Sequence, residues 1–185
     1  LRISKGVARY TKNFIPPSAA VGAQLNGLNE TNTTTGFTTL YLPFDSDVND
    51  DSPLSLSITN SDVSIDTSTK KFGSGSAYFD GNDHLQVDDD SGHHNLMFND
   101  FTMEAFIYPT DLSSERTIFS RWDATTSYRQ FVLKLNTSGY LIFELNNNSD
   151  TTSSAAVSTN EWSHIAVTRE SNTIRLFING TLTAS

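Results

Sequence analysis

The 185 residues include no cysteine, which excludes disulfides, thiolate metal sites and a cysteine nucleophile. The compartment stays undecided on that count. No apolar run approaches the roughly 18 residues that a membrane helix needs, so no membrane span is read. Basic residues are scarce, with 12 Lys and Arg against 21 Asp and Glu and a net charge of −9. That balance argues against generic attraction to nucleic acid phosphates or anionic lipid. It suits a hard cation such as Ca²⁺, which prefers carboxylate and carbonyl oxygens. A helical period of 3.6 is also missing, apart from one short helical turn expected near Asn95–Phe98. The opening Leu1-Arg-Ile-Ser-Lys5 has no apolar core of a signal peptide. Because it does not begin with Met, the chain is expected to be a piece of a longer polypeptide.

What is present is Thr, Ser, Asn and Asp between short β-rich runs, the composition of strands joined by polar turns. Residues 1–17 hold a strand over Leu1–Lys5, a turn at Gly6 and a stretch ending at Pro16-Pro17, which blocks helix and ladder alike. Residues 18–36 have no apolar period and read as a linker. Further strands are expected at Thr39–Phe44, Leu54–Ile58, Val63–Ile65, Lys71–Gly81, His84–Val87, Phe101–Tyr108 and Thr117–Trp122. Gln130–Leu135, Tyr140–Leu145, Ser163–Arg169 and Thr173–Ile178 complete the series. Hairpin turns are read at Asn136–Gly139 and Glu170–Asn172.

Four ordered segments carry a resemblance: Phe72–Leu85, Asp100–Phe106, Trp162–Arg169 and Leu176–Gly180. Together they resemble the laminin-G-like, concanavalin A-like lectin/glucanase jelly roll, of the type found in tandem in phage and bacterial surface proteins. The resemblance implies an all-β, two-sheet antiparallel jelly-roll sandwich over residues 37–185. It implies that further strands normally follow Phe177-Ile-Asn-Gly180, so the jelly roll is expected to lack its final strands. The last strand of the family resembles Leu1–Tyr10, closing with a segment like Asn13–Pro17. Residues 1–17 are therefore expected to be the terminal strand of a preceding repeat. They are expected to complete the sandwich, within the chain or by strand swapping between chains, since an open edge invites aggregation. Trp162 is implied to pack inward. The core is assigned to Phe79, Phe101, Met103, Phe119, Phe131, Leu133, Leu141, Phe143, Ile165, Val167, Leu176 and Ile178.

Retaining glycoside hydrolysis needs two carboxylates about 5 Å apart, and laminarinase-like relatives carry Glu-x-Asp-x-x-Glu on one strand. The comparable strand here offers Glu104, with Phe106 and Tyr108 at the alternating positions, and Glu144 stands alone on another strand. No Gly-x-Ser-x-Gly elbow occurs. For metal, Asp45, Asp47, Asn49, Asp50 and Asp51 form one oxygen cluster, and Asp80, Asn82 and Asp83 flank Gly81. Such loops in related jelly rolls hold calcium, and the same residues are equally ordinary turn formers. Asp88–Asp90 with His93 and His94 reads as a solvated loop. For carbohydrate, Trp122 with Arg121, Asp123, Tyr128 and Arg129 combines an aromatic plate with planar polar groups. A Trp122 that plugs the sandwich end is the competing reading. Five Asn-x-Ser/Thr sequons, at Asn29, Asn32, Asn136, Asn147 and Asn179, are close to chance in a chain this rich in Asn and Thr.

The expected function is a non-catalytic carbohydrate- or cell-surface-binding module of a larger extracellular or virion surface protein, with calcium assistance. Its partners would be a glycan and other repeats of the same polypeptide, with no nucleic acid and no membrane. The rivals are a structural spacer with protein contacts only and, third, a degenerate glycoside hydrolase.

Overall fold

The computed structural model describes residues 1–19, 37–89, 92–96, 99–123, 128–145 and 149–185. Every regular element among them is a strand. In chain order these are β1 (Arg2–Lys5), β2 (Phe37–Tyr41), β3 (Ile58–Ser61), β4 (Ser64–Asp66), β5 (Ser76–Tyr78), β6 (His84–Val87) and β7 (Phe101–Ile107). There follow β8 (Arg116–Asp123), β9 (Tyr128–Leu135), β10 (Tyr140–Leu145), β11 (Ser149–Ala156), β12 (Ser163–Glu170), β13 (Thr173–Ile178) and β14 (Thr181–Ala184). A six-stranded sheet is ordered β14-β13-β12-β7-β1-β2, and a four-stranded sheet β11-β10-β9-β8. Two small ribbons, β3-β6 and β4-β5, complete the set, and every pairing is antiparallel. The fold is the all-β sandwich read from the sequence.

The two large sheets bury one shared core. Phe101, Met103, Ile165, Val167, Leu176 and Ile3 come from one sheet, and Phe131, Leu133, Leu141 and Phe143 from the other. Phe101 and Phe143 meet across the interface with ring centres 5.9 Å apart. At one margin the sheets touch, where Ser154 Oγ on β11 donates to the Thr183 carbonyl on β14 at 2.8 Å. Strand alternation then puts Thr102, Glu104 and Phe106 on the opposite, outer face of β7.

That outer face is covered over part of its length, which explains why β7 and β12 are buried on both sides. Gly6, at φ +81°, ends β1, and residues 7–17 then cross the sheet. Arg9 N donates to Thr102 Oγ1 at 2.9 Å, and that hydroxyl donates to the Val7 carbonyl at 3.0 Å. Thr168 Oγ1 donates to the Tyr10 carbonyl, and Leu182 N to Asn13 Oδ1, both at 2.8 Å. Phe14 N reaches the Gly180 carbonyl at 2.8 Å. We call residues 1–17 the clip.

The β13–β14 turn is Asn179-Gly180, with φ +50° and +78°, the two positive values of a type I′ hairpin. A Cβ at Gly180 would stand 1.9 Å from the Phe14 carbonyl oxygen. Both the turn and the close passage of the clip require glycine there.

Several readings change. β11 and β14 were not expected, and a strand does follow Phe177-Ile-Asn-Gly180. Of the alternating Leu54–Ile58 only Ile58 enters a strand, as the first residue of β3. The residues before it leave a turn in which Ser55 has φ +45° and its N–H donates to the Ser52 carbonyl at 3.0 Å. The cause is Asp50, whose buried carboxylate accepts from Tyr41 N, Ser52 N, Ser52 Oγ and Leu56 N, each at 2.9 Å. Four donors converging on one side chain outcompete a ladder. Phe79 is 46% exposed rather than core, because it lies beyond the short ribbon strand β5. Near Asn95–Phe98 the backbone makes single turns, Asn95 N to the Gly92 carbonyl and Asn99 N to the Leu96 carbonyl; residues 97 and 98 lie outside the described set. Most of the linker reading, residues 20–36, lies outside it too.

Two outcomes are expected in urea unfolding. Gly180→Ala lowers stability by more than about 1 kcal/mol, and Asp50→Ala by about 3 kcal/mol, as it strands several buried N–H groups. Midpoints within error of the unsubstituted chain would contradict these roles.

Candidate functional site

The outer face of the six-stranded sheet is organised in rows set by strand register. One row runs Arg2, Glu104, Ala166, Phe177 across β1, β7, β12 and β13. The next places Phe106 beside His164, their rings 4.9 Å apart. Beyond the strand ends Tyr108 and Trp162 meet with ring centres 5.4 Å apart.

Glu104 is the electrostatic centre of the covered half. Its Oε1 accepts from Arg2 Nε at 2.6 Å and is also ion-paired with Arg2 Nη2. Its Oε2 accepts from the Tyr10 hydroxyl at 2.7 Å and lies 3.1 Å from His164 Nε2. Tyr10 stacks on Phe14 at 3.6 Å with the planes 6° apart, and both rings meet His164 and Phe177 edge-on. The Glu104 side chain is 4% exposed. Burial by itself would raise its pKa; the His164 hydrogen bond, the charges of Arg2 and His164 and the Tyr10 hydroxyl outweigh it and hold the carboxyl at about 2. Tyr10 is pushed the other way, upward, by burial and then by the Glu104 charge.

The uncovered half is a cleft of about 100 Å³ walled by Tyr41, Phe44, Phe72, Phe106 and Trp162 with Lys71 at its margin. Phe72 meets Phe106 edge to face at 5.0 Å, and Lys71 Nζ lies 5.7 Å from the Phe106 ring centre. The wall is built by the glycine turn Gly73-Ser-Gly75. Ser74 N donates to Asp45 Oδ1 at 2.9 Å and Ser74 Oγ to the Asp45 carbonyl at 2.8 Å. A Cβ at Gly73, at φ +61°, would overlap the Asp45 carboxylate, and one at Gly75 would crowd the Phe44 and Asp45 carbonyls. Pinning this turn on Asp45 is what brings Phe72 over Phe106.

The chemistry of such a cleft is stacking on apolar ring faces with a cation near the rim. The model of the concanavalin A-like lectin/glucanase superfamily matches residues 79–185. The chain belongs to this superfamily. The match spans β6 to β14, so Glu104, Phe106, Trp162 and His164 lie inside it. Arg2, Tyr10, Tyr41, Phe44 and Phe72 lie outside it. No curated protein and no solved structure matches the chain.

The superfamily sandwich places the residues singled out from the sequence as follows. Arg121, Trp122, Asp123, Tyr128 and Arg129 stand at the end of the β8–β9 hairpin, on the other sheet, with Trp122 opposite Arg129 and Asp123 opposite Tyr128. The side chains of the last four lie outside the described residues. Arg121 pairs with Asp89, Nη1 to Oδ2 at 2.7 Å. Asp89 also accepts from His93 N and His94 N at 2.7 and 2.8 Å. Asp89 and His94 side chains are each 8% exposed, so these two are anchored rather than solvated, while Asp88 is exposed and Asp90 lies outside the described residues. Burial tends to raise the Asp89 pKa, and these N–H groups with Arg121 lower it overall.

The metal candidates are dispersed into local roles. Asp45 holds the glycine turn and Asp50 the 50–56 turn. Asp47 Oδ1 accepts from Asn49 N, and Asp80 Oδ1 from Asn82 N, while Asp83 Oδ2 accepts from Asp80 N. Among the described residues no three His, Asp or Glu side chains are grouped to hold a metal ion. Trp162, implied to pack inward, is half-buried and lines the cleft, because it follows the last outward row of the sheet. The aromatic wall was missed in the sequence because its members are spread from Tyr41 to Trp162. The Gly73-x-Gly75 spacing beside Phe72 was the available signal.

Stability should depend on acid through Glu104. Its folded pKa lies below its ordinary 4.5, so its contribution is fully present above pH 4.5 and is lost as pH falls toward about 2. At about 1.4 kcal/mol per pH unit, the difference is on the order of 3 kcal/mol. Urea midpoints taken from pH 7 to pH 2 should fall through that window. Glu104→Gln should start roughly 3–5 kcal/mol lower at pH 7, with Arg2 left uncompensated, and show a flatter acid limb. An unchanged acid limb would remove Glu104 from this role.

Proposed function

We propose that this module binds carbohydrate, without catalysis, in the aromatic cleft beside Trp162. The observation that carries the reading is the wall of Tyr41, Phe72, Phe106 and Trp162 on the open half of the outer sheet face. Sugar rings present a flat C–H face that stacks on such rings, and their hydroxyls suit polar groups at the margin. Lys71 and Ser76 stand there.

The acids nearby support binding over hydrolysis. Both Glu104 oxygens are occupied by Arg2, Tyr10 and His164, and a carboxyl held at about 2 does not deliver a proton at neutral pH. The Asp45 carboxylate is bound to the Ser74 amide. Surface glycans are the ligand class that this reading implies, and the module's proposed place of action is outside a cell or on a virion.

A glycan array, run with and without Ca²⁺, followed by tryptophan fluorescence titration, tests this. Trp162→Ala and Phe106→Ala are expected to weaken binding at least tenfold while Trp122→Ala leaves it unchanged. Binding to no sugar under either condition would reject the reading in favour of a spacer with protein contacts only. Loss with Trp122→Ala instead would move the site to the β8–β9 hairpin.

A further inference from the structure

We infer that the outer face of the six-stranded sheet is an acceptor for residues 1–17 of a second copy of this chain, so that modules join by exchanging the clip. The contacts of the clip already have the form of an interface. Its partners lie at residues 37–42, 100–104 and 164–182: β1 pairs with β2 and β7, and residues 7–14 bond to Thr102, Thr168, Gly180 and Leu182. A strand added between two others with side-chain anchors is the β-augmentation mode of peptide recognition. Here the anchors are specific. Arg2 supplies the buried cation for Glu104, Tyr10 a hydroxyl to its other oxygen, and the Tyr10–Phe14 stack covers His164 and Phe177.

Without a clip the acceptor is left in a costly state. Among the described residues β2 pairs with β1 alone, so it would lose its place in the sheet. Glu104 would keep His164 and lose Arg2 and Tyr10. An open β7 edge with a carboxylate left only its His164 partner favours a strand carrying a cation and a hydroxyl, and nothing in that demand distinguishes one copy's clip from another's. Residues 18–36 join the clip to β2. Nineteen residues reach at most about 65 Å when extended, enough for either arrangement, and a tether of that length sets an effective concentration on the order of millimolar. Exchange therefore competes with the intrachain arrangement when copies are concentrated, and closes as a pair or propagates as a chain.

The test uses full-length chains. Asn13→Cys in one preparation and Leu182→Cys in another place single thiols on either side of the contact from Leu182 N to Asn13 Oδ1, in a chain otherwise free of cysteine. The two are mixed, unfolded in urea and refolded together at about 1 mM and a thousandfold more dilute. A disulfide-linked heterodimer is expected at the high concentration, with at least tenfold less at the low one. In parallel the unsubstituted chain is refolded at both concentrations and its mass distribution read by native mass spectrometry, with and without an excess of a synthetic peptide of residues 1–17. Dimers at high concentration that the peptide suppresses support the inference even if the cysteines disturb docking. Monomers alone at both concentrations would overturn it, as would dimers indifferent to the peptide.

Discussion

The neutralisation of one buried carboxylate, Glu104, governs the outer half of this molecule. A carboxylate 4% exposed is tolerable only when its lost hydration is replaced by charge and hydrogen bonds. The His164 hydrogen bond is the largest of these, and Arg2 and Tyr10 add charge and a hydroxyl; the last two arrive from the clip, about a hundred residues away in sequence. The consequences extend beyond the pair. Arg2 brings β1 into the gap between β7 and β2; β1 gives β2 its ladder; and Tyr10 fixes the path of residues 7–14 over β12 and β13. His164 completes the set from the neighbouring strand, and its own backbone N–H is held by Asn179 Oδ1 at 2.9 Å. The type I′ turn and the buried acid therefore belong to one connected arrangement.

The same face has two environments because the clip covers only part of it. Over Thr102, Glu104 and Thr168 the outward side chains are polar and each has a partner in the clip. Past Phe106 the rows become aromatic and open, and the glycine turn pinned on Asp45 adds Phe72 as a second wall. This division sets a buried, fully partnered acid beside an aromatic cleft. The concanavalin A-like superfamily match accounts for the sheet beneath, from β6 to β14. The turn, Tyr41 and the clip lie outside that match.

Legibility in the sequence followed how local the cause was. β6, β10 and β13 have the bounds read from the pattern, since alternation and adjacent turn residues define them without outside help. Most of the assigned core is buried for the same reason. β11 escaped because its Ser-Asp-Thr-Thr-Ser-Ser-Ala-Ala run has no apolar stripe. It lies at a sheet margin, where its inward Ser153 is satisfied by Leu141 N at 2.9 Å. Leu54–Ile58 misled in the opposite sense: its alternation is real, yet the Asp50 carboxylate sets the backbone. Arg121 offered planar polar chemistry for a ligand and is spent on Asp89, a partner 32 residues away that no local pattern announces.

Composition, strand alternation and short turn motifs were sufficient for the all-β class and the inward faces of the main strands, because each depends on neighbours within a few residues. The superfamily was legible only through the resemblance of four ordered segments to it. The partners of Glu104, the wall around Trp162 and the separate fates of the aspartates were settled only by the tertiary structure. Those outcomes depend on which distant strands become adjacent and in what register, and a one-residue change of register would turn every outward side chain inward.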